Sequence, residues 1–228
     1  MNQKSKIISM LFFVLVLSFT LNSHAIVYWQ DTFTDTASTA LAAHTPNIGS
    51  SYLDPNSRYI ISGSNTLTRV LGEDYASNYD ATVTEYIYEI DLYMNNAGAF
   101  DAGITFRWIS ATDYFRVQLH SASTGTVRLY EEAVERAADT SWTSGVDWFT
   151  IKIVNTLENI KVYIDDVLYI DYDTTNNNTS TKFGFFNWSG CTPQWDNLEI
   201  YDETTSSNGV FNFGLGHKDD RLIKIQSK

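Results

Sequence analysis

The sequence predicts an all-β protein, built as a two-sheet antiparallel β-sandwich. Between residues 101 and 201, short runs rich in Val, Ile, Tyr, Phe and Trp alternate apolar with polar positions, which is the period-two pattern of half-buried strands. Clusters of Gly, Asp, Asn, Ser and Thr separate these runs, and such residues favour turns. Outside the first 25 residues, only the short stretch 133–138 has a trace of helical period.

The predicted strands follow one another along the chain. They cover residues 27–34, 65–71, 82–94, 103–110, 113–121, 126–133, 148–155, 159–172, 182–188 and 194–202. The segment 159–172 contains a hairpin turn at Asp165-Asp166, because aspartate tolerates the positive φ that a two-residue turn requires. Residues 35–58 are predicted to be a loop with at most one helical turn, at residues 40–43.

The strand predicted at residues 82–94 separates two kinds of side chain most clearly. One face carries Tyr86, Tyr88, Ile90, Leu92 and Met94. Glu89 and Asp91 fall on the opposite face, because successive side chains of a strand point to opposite sides. Only a pleated strand separates apolar from charged residues in this way.

Residues 1–25 have the organisation of a secretory signal peptide. Lys4 and Lys6 give a basic start, residues 7–21 form a mostly apolar run, and Ala25 is the small residue before the expected cleavage point. The apolar run is shorter than the roughly 20 residues that span a bilayer, so no membrane anchor is expected after cleavage. The sequence therefore predicts a secreted, extracellular or periplasmic protein.

The rest of the chain divides after residue 203. Residues 26–203 contain the predicted strands and are assigned to one sandwich domain. Residues 204–228 have little apolar pattern and are predicted to be a linker followed by a poorly ordered tail. The chain has one cysteine, Cys191, so no intramolecular disulfide supports the fold.

The chain is acidic, with 27 Asp and Glu against 15 Lys and Arg, and a formal net charge of −12. Nucleic-acid phosphates would be repelled by this charge, so nucleic acid is excluded as a partner. The acidic residues are spread along the chain, which suits solubility outside the cell and leaves cation binding open.

Four segments carry a resemblance to known proteins. Residues 31–52 contain Asp-x-Phe, His-x-Pro and Gly elements, 102–119 give paired central strands, 148–172 a late hairpin, and 183–201 a closing strand with Trp-Asp-Asn. In these segments the chain resembles the concanavalin A-like lectin/glucanase superfamily, of the laminin-G-like kind found in bacterial secreted and phage proteins. The resemblance implies a jelly-roll sandwich over roughly 26–202. It implies no single activity, because the superfamily contains lectins, glycosidases, lyases and modules without chemistry.

The family-16 glucanases of this superfamily have a motif that the chain matches in part. They carry Glu-Ile-Asp-x-x-Glu, or a form one residue shorter, and two of its carboxylates act in a retaining mechanism. Glu89-Ile90-Asp91 matches the first part, but Tyr93 or Met94 takes the place of the last carboxylate. The acid/base group is therefore missing.

Jelly-roll polysaccharide lyases give a second partial match. Gln118-Leu119-His120 resembles the Gln-x-His tripeptide of alginate lyases, but the Lys-x-Gly-x-Tyr-x-Gln strand of those enzymes is absent. A tripeptide recurs often by chance. The two partial matches together favour a domain without catalysis.

A polar sheet face is the main candidate for a binding surface. If consecutive strands pair, acids and bases alternate across one sheet with opposite charges in contact. The residues that share this parity are Glu89, Asp91, Arg107, Arg116, Gln118 and Tyr130. The face is either a ladder of cross-strand ion pairs or a concave surface that binds sugar hydroxyls, and the sequence leaves both open.

Two of the six tryptophans are candidate platforms for stacking on a sugar ring. Trp142 and Trp188 fall near loops, where a ring is accessible to a ligand. Trp108 and Trp148 lie inside strands beside other apolar residues and are expected in the core.

The resemblance also implies a structural calcium ion. Sandwiches of this superfamily often join their first and last strands and hold a cation at that seam. The matching ligands are Asp31 on the first strand and Asp196 on the last, with backbone carbonyls from residues 49–54 completing the oxygen shell that calcium prefers. The alternative is that each aspartate accepts hydrogen bonds from nearby backbone N–H groups.

These observations give three hypotheses for function. The first is a secreted, non-catalytic, lectin-like domain that recognises a polysaccharide or a cell-surface glycan. The second is a glycoside hydrolase or polysaccharide lyase of jelly-roll type. The third is a structural or adhesive surface protein without a small ligand.

Overall fold

The computed structural model of the chain describes residues 25–54, 58–70, 74–95, 101–121, 125–188 and 192–202, with the backbone alone at 74–78. The predicted signal peptide up to residue 24, Cys191 and the predicted tail lie outside these residues. The described residues belong to one compact unit. No helix among them is long and apolar enough to cross a membrane.

This part of the chain contains fourteen strands and one short 3₁₀ helix, Leu41–Ala43. The strands are β1 (Val27–Asp31), β2 (Tyr59–Ile61), β3 (Leu67–Arg69), β4 (Asp74–Asp80), β5 (Tyr86–Tyr93), β6 (Asp101–Ser110), β7 (Asp113–His120), β8 (Thr126–Glu131), β9 (Val134–Asp139), β10 (Trp148–Asn155), β11 (Asn159–Ile164), β12 (Val167–Asp173), β13 (Lys182–Asn187) and β14 (Gln194–Tyr201).

The strands form two antiparallel sheets. The eight-stranded sheet has the order β12-β11-β10-β5-β14-β3-β2, and β1 also pairs with β14. The six-stranded sheet has the order β4-β13-β6-β7-β8-β9. The predicted fold class, an all-β antiparallel sandwich of two sheets, is therefore confirmed.

The core lies between the two sheets, and β5 illustrates how the sequence builds it. Its apolar face is buried, as the alternation predicts, and consists of Tyr86, Tyr88, Ile90 and Leu92, followed by Met94. From the six-stranded sheet, the Phe183 ring lies 4.6 Å from the Tyr86 ring and 5.5 Å from the Tyr88 ring, between centroids. Each large apolar side chain contributes about 1.5–3 kcal/mol when fully buried, so this face holds the two sheets together.

The β11–β12 hairpin confirms the predicted turn. Asp165 and Asp166 have φ values of 50° and 63°, which is the pair of positive values that a type I′ turn needs. The Asp165 carboxylate also accepts the backbone N–H of Thr150 on neighbouring β10, at 2.9 Å. The turn is thus tied to the next strand of the sheet.

Several local predictions differ from the structure. Residues 133–138 are not helical, because they form most of β9, which pairs with β8 at the sheet edge. β1 ends at Asp31, since Phe33 has a φ of 46° that breaks the extended chain. β2 and β4 were not predicted, and the polar strand β4 is extended because it pairs with β13. The single helical turn is confirmed at Leu41–Ala43.

The predicted polar face is wrong, because its residues belong to different sheets. β5 pairs with β10 and β14, whereas β6 and β7 lie in the six-stranded sheet. Glu89 and Asp91 are therefore on one sheet, and Arg107 and Arg116 are on the other. The prediction assumed that consecutive strands pair. Alternation fixes the side of a strand on which a residue lies, but it carries no information about the sheet that the strand joins.

Candidate functional site

A groove lies on the outer face of the eight-stranded sheet, the face that points away from the core. Its volume is about 620 Å³, which is within the range of ligand pockets. It is lined by Ser64, Thr66, Asp91, Tyr93, Trp148, Gln194, Asp196 and Asn197. We name this site the outer groove.

The register of three strands brings the lining side chains together. Tyr93 of β5 lies opposite Trp148 of β10 on one side and opposite Gln194 of β14 on the other. Asp91 lies opposite Asp196 of β14. Opposite positions in antiparallel strands have Cβ atoms about 4.5–5.5 Å apart, so the floor of the groove is continuous across the three strands.

A bulge in β14 adds another groove residue. The register between β14 and β5 shifts between Asp196 and Glu199, and Asn197 has a φ of 51°, a value that Asn adopts more readily than most residues. Leu198 remains fully buried, while Asn197 is exposed. Asn197 thereby reaches Asp91, and its Nδ2 donates to Oδ2 at 2.8 Å.

An exposed aromatic pair forms part of the outer groove. The ring centroids of Trp148 and Tyr93 are 5.3 Å apart with 42° between the planes, and Trp148 is 41% exposed. The expectation that Trp148 lies in the core is wrong. Trp148 begins β10 with outward parity, since the buried residues of that strand are Ile151, Ile153 and Asn155. The groove therefore offers a flat apolar surface beside polar groups.

Asp91 is oriented by two neutral donors. Thr150 donates its hydroxyl to Oδ1 at 2.7 Å, and Asn197 donates to Oδ2 at 2.8 Å. Near the other end of the groove, the Thr66 hydroxyl donates to Gln194 Oε1 at 3.1 Å, which fixes that amide. The polar side chains are thus held in place before a ligand arrives.

Two pairs of carboxylates face each other along β5 and β14. Asp91 lies opposite Asp196, and Glu89 lies opposite Glu199. Burial raises the pKa of Asp196, and the charge of Asp91 adds to the effect. Burial also raises the pKa of Glu199, and Glu89 adds to it. Like charges at opposite positions destabilise a sheet, so this arrangement has a cost in stability.

Two of the predicted site residues lie together on the outer face of the six-stranded sheet. Arg116 of β7 is opposite Tyr130 of β8. The Arg116 guanidinium lies 4.3 Å from the centre of the Tyr130 ring and 4.7 Å from that of Phe186. Arg116 is only 9% exposed, so this cation is stacked between aromatic rings rather than displayed to solvent.

Gln118, a third predicted site residue, lies on the same face and joins a small polar cluster. Its Nε2 donates to Asp101 Oδ1 at 2.7 Å, and the same carboxylate contacts His120 Nδ1. The sequence reasoning missed Asp101, which begins β6 directly opposite His120. This pairing of Asp101 with His120 could have been predicted, because the turn between β6 and β7 sets the register of the hairpin.

Arg107 has a structural role that the sequence did not indicate. It is fully buried and has a φ of 48° at a bulge of β6. Its Nε donates to Asn155 Oδ1 at 2.7 Å, and its terminal nitrogens donate to the carbonyls of Thr156 at 2.6 Å and Asn176 at 2.7 Å. These bonds use the guanidinium to join the six-stranded sheet to the end of β10 and the segment after β12, so it is not displayed to a ligand.

The two candidate tryptophans have different exposures. Trp142 is 4% exposed, and its ring packs at 5.1 Å from Phe149, so the expectation of an accessible ring is wrong. Gly125 makes this close packing possible, because a Cβ there would lie 2.6 Å from the Trp142 ring. Trp188 is 42% exposed just after β13, and its backbone N–H donates to the Asp101 carbonyl at 2.7 Å.

The residues around Asp31 do not fit the calcium ion that the resemblance implies. Asp31 is 1% exposed, and its carboxylate accepts from the Tyr52 hydroxyl at 2.6 Å and the Phe33 N–H at 2.8 Å. His44 Nε2 lies 2.9 Å from the same carboxylate, and His44 Nδ1 lies 3.2 Å from Asp35. Protein donors thus occupy the oxygens that calcium would need. Within the described residues, no group of three or more His, Cys, Asp or Glu side chains is placed to hold a metal ion.

The His44 ring provides a positive charge beside Asp31 when it is protonated. Burial alone would lower the pKa of His44, but the hydrogen bonds with Asp31 and Asp35 outweigh it, and the pKa is raised. The Asp-x-Phe and His-x-Pro elements of the sequence therefore form one buried cluster.

No protein-family model matches the chain, and no curated protein matches it. Similar solved structures include the GH43 protein BlXynB from Bacillus licheniformis, at 12% identity and a TM-score of 0.55, covering 75% of this chain and 40% of that one. A structure from work on endo-acting O-glycanases, which members of the human gut microbiota express to initiate mucin breakdown, has 11% identity and a TM-score of 0.53, covering 81% and 93%. A functionally unknown protein from Saccharomyces cerevisiae has 10% identity and a TM-score of 0.51, covering 68% and 96%.

These similarities concern the fold. The protein has the jelly-roll sandwich fold that the resemblance implied. The chain spans less than half the length of the GH43 protein. Function has to be argued from the sites that this chain places on the sandwich.

Proposed function

We propose that the protein is an exported glycan-binding domain that holds a saccharide in the outer groove without cleaving it. The observation that carries the proposal is the exposed Trp148–Tyr93 pair beside oriented polar side chains. The predicted signal peptide supports export. The ligand is a polysaccharide or a cell-surface glycan.

Saccharides have two kinds of surface, and the outer groove offers a partner for each. The C–H face of a pyranose ring is apolar and stacks on an aromatic ring such as Trp148, which is accessible at 41%. The hydroxyl edge needs donors and acceptors, and Asp91 and Gln194 present fixed polar groups next to that ring. A few fixed polar groups beside an apolar surface are what a small-ligand site requires.

Two tryptophans of equal exposure provide a matched test. Trp148 lies in the outer groove and Trp188 lies by the six-stranded sheet, at 41% and 42% exposure. We expect Trp148→Ala to weaken saccharide binding at least about tenfold, as loss of a buried aromatic anchor does. Trp188→Ala should leave the affinity unchanged. A glycan array identifies ligands for titration calorimetry on both variants.

The opposite result, loss of binding in Trp188→Ala alone, would move the site to the face that carries Arg116 and Gln118. If the array and assays for released reducing sugar or unsaturated uronate are all silent, the proposal fails in favour of a structural or adhesive surface role.

Glycoside hydrolysis is the second candidate, because the groove contains two carboxyl groups in different environments. Asp91 and Asp196 are opposite each other, and retaining glycosidases place their carboxyl groups about 5–5.5 Å apart. The raised pKa of Asp196 suits a general acid, while Asp91 is oriented by two donors. Release of reducing sugar by the wild type, absent in both Asp91→Asn and Asp196→Asn, would replace binding by this function.

A further inference from the structure

We infer that the outer groove selects saccharides that carry a protonated amine over neutral ones, and rejects those that carry carboxylate or sulfate groups. This inference rests on the proposed function, because it names the class of saccharide that the same groove takes. It follows from the distribution of charge around the groove.

The groove has acids without a cation of its own. Among the described residues that line it, Asp91 and Asp196 are charged, and none is Lys or Arg. Glu89 and Glu199 continue the same face along β5 and β14. A ligand that follows these strands therefore meets four carboxylates in succession.

The repulsion between Asp91 and Asp196 is not relieved by a cation among the described residues that line the groove. The side-chain donors to Asp91 are neutral, namely the Thr150 hydroxyl and the Asn197 amide. Lys152 lies opposite Glu89 on β10, and its positive charge acts on Glu89, but its ammonium pairs with Asp166 in the hairpin turn and does not line the groove. A cation supplied by the ligand would relieve the repulsion.

Asp31, on β1, differs from the carboxylates of the groove because the protein compensates its charge. Asp31 is buried, and the protein provides His44 at 2.9 Å to balance its charge. The fold thus compensates a carboxylate that serves the core and leaves those of the groove uncompensated. A stability cost confined to a ligand groove is the pattern expected when the ligand supplies the missing charge.

A saccharide amine can meet both requirements at once. When its ring stacks on Trp148, an ammonium substituent on the edge of the ring can donate to Asp196 and Asp91, which share that edge of the groove. Hydrogen bonds between charged groups are roughly twice as strong as neutral ones. An anionic sugar in the same position would face like charges.

The test compares three oligosaccharides of equal length by titration calorimetry: β-linked glucosamine, its N-acetylated form and galacturonate. Measurements use mildly acidic buffer, in which the amine is charged. We expect the glucosamine oligomer to bind about tenfold more tightly than the acetylated one, and galacturonate not to bind. The preference should shrink as salt rises, because the Debye length falls from about 10 Å at 0.1 M to about 3 Å at 1 M.

One substitution isolates the charge. Asp196→Asn should bring the ratio of the two affinities close to one, because the amine loses the carboxylate that distinguishes it from the acetylated sugar. The oxygen of the new amide can still accept the Asn197 N–H that Asp196 accepts at 2.8 Å, so the variant should fold. Glu132→Gln removes an equal charge from the exposed β8–β9 turn of the six-stranded sheet and should leave the ratio unchanged.

Equal binding of the charged and acetylated oligomers would overturn the inference and leave the proposed function in place. Tighter binding of galacturonate would also overturn the inference. Binding that depends on calcium and is lost on chelation would overturn it as well, because the carboxylates would then hold a metal. If no oligomer binds and the glycan array is also silent, the proposed function itself fails.

Discussion

The two sheets of the sandwich use charged residues in different ways. On the six-stranded sheet, Arg107 is fully buried and donates to three residues outside that sheet, and Arg116 is stacked between Tyr130 and Phe186. On the eight-stranded sheet, Asp91 and Asp196 face each other in an open groove. The six-stranded sheet uses its cations to hold the protein together, whereas the eight-stranded sheet leaves two acids of its outer face uncompensated.

This difference indicates which face is available to a ligand. A charged group whose donors are already used by the protein stabilises the fold and has little left to offer a ligand. A pair of like charges at opposite positions of a sheet has the opposite effect, because it destabilises the fold. A ligand that neutralises the pair removes this cost in free energy. The comparison therefore predicts that loss of the Arg107 guanidinium lowers the stability of the protein, whereas neutralisation of Asp196 raises it.

The largest effect is expected from Arg107→Ala on the six-stranded side. The substitution leaves the Asn155 amide oxygen and the carbonyls of Thr156 and Asn176 without their donor. A buried polar group that loses its partner costs about 1–3 kcal/mol, so we expect the free energy of unfolding to fall by about 3 kcal/mol or more. Urea denaturation measures the change.

Arg136→Ala is the matched control, because Arg136 is paired with Glu131 at 2.8 Å while 38% of its side chain is exposed. A surface pair of this kind contributes roughly 0–1 kcal/mol. Equal effects of the two substitutions would show that Arg107 is not a structural cation and would remove this half of the comparison.

On the eight-stranded side, the two facing carboxylates should respond with opposite signs. Asp91→Asn turns an amide nitrogen toward the Thr150 hydroxyl or the Asn197 amide, both of which donate to Asp91, and should lower the free energy of unfolding by about 1 kcal/mol. Asp196→Asn removes the repulsion and should raise it by up to about 1 kcal/mol. Chemical denaturation of both variants measures the difference, and a destabilised Asp196→Asn would contradict the view that this pair is uncompensated.

The contrast between the faces also explains what could be predicted from the sequence. The inward and outward sides of β5, including Glu89 and Asp91, follow from alternation, and the Asp165-Asp166 turn follows from local backbone preferences. Both depend on residues close together in the chain. The sheet that each strand joins depends on distant pairings, so the predicted contact between Asp91 and Arg107 was wrong.

The groove itself was only partly predictable for the same reason. Asp91 was identified as a binding residue, but its neighbour Asp196 comes from a strand more than a hundred residues later and was assigned to a metal. The tryptophans show a second limit. Trp148 inside a strand is exposed, and Trp142 near a loop is buried against Phe149, because exposure depends on strand parity and on what covers a loop rather than on the type of element.

The smallest expected effect is a change in melting temperature with pH, and it concerns Asp31, the acid that the fold does compensate. The measurement distinguishes His44 from calcium as the source of the positive charge beside Asp31. The pKa of His44 is raised in the folded state, so the folded protein holds the proton more tightly than the unfolded chain. The stabilisation is therefore complete below the unfolded pKa of about 6.5 and is lost as the pH rises through the higher folded value. We expect the melting temperature to fall by a few degrees over that window. His44→Gln should flatten this dependence, and a chelator should leave the melting temperature of the wild type unchanged. A fall in melting temperature on chelation, restored by calcium, would show that a metal does the work assigned here to His44.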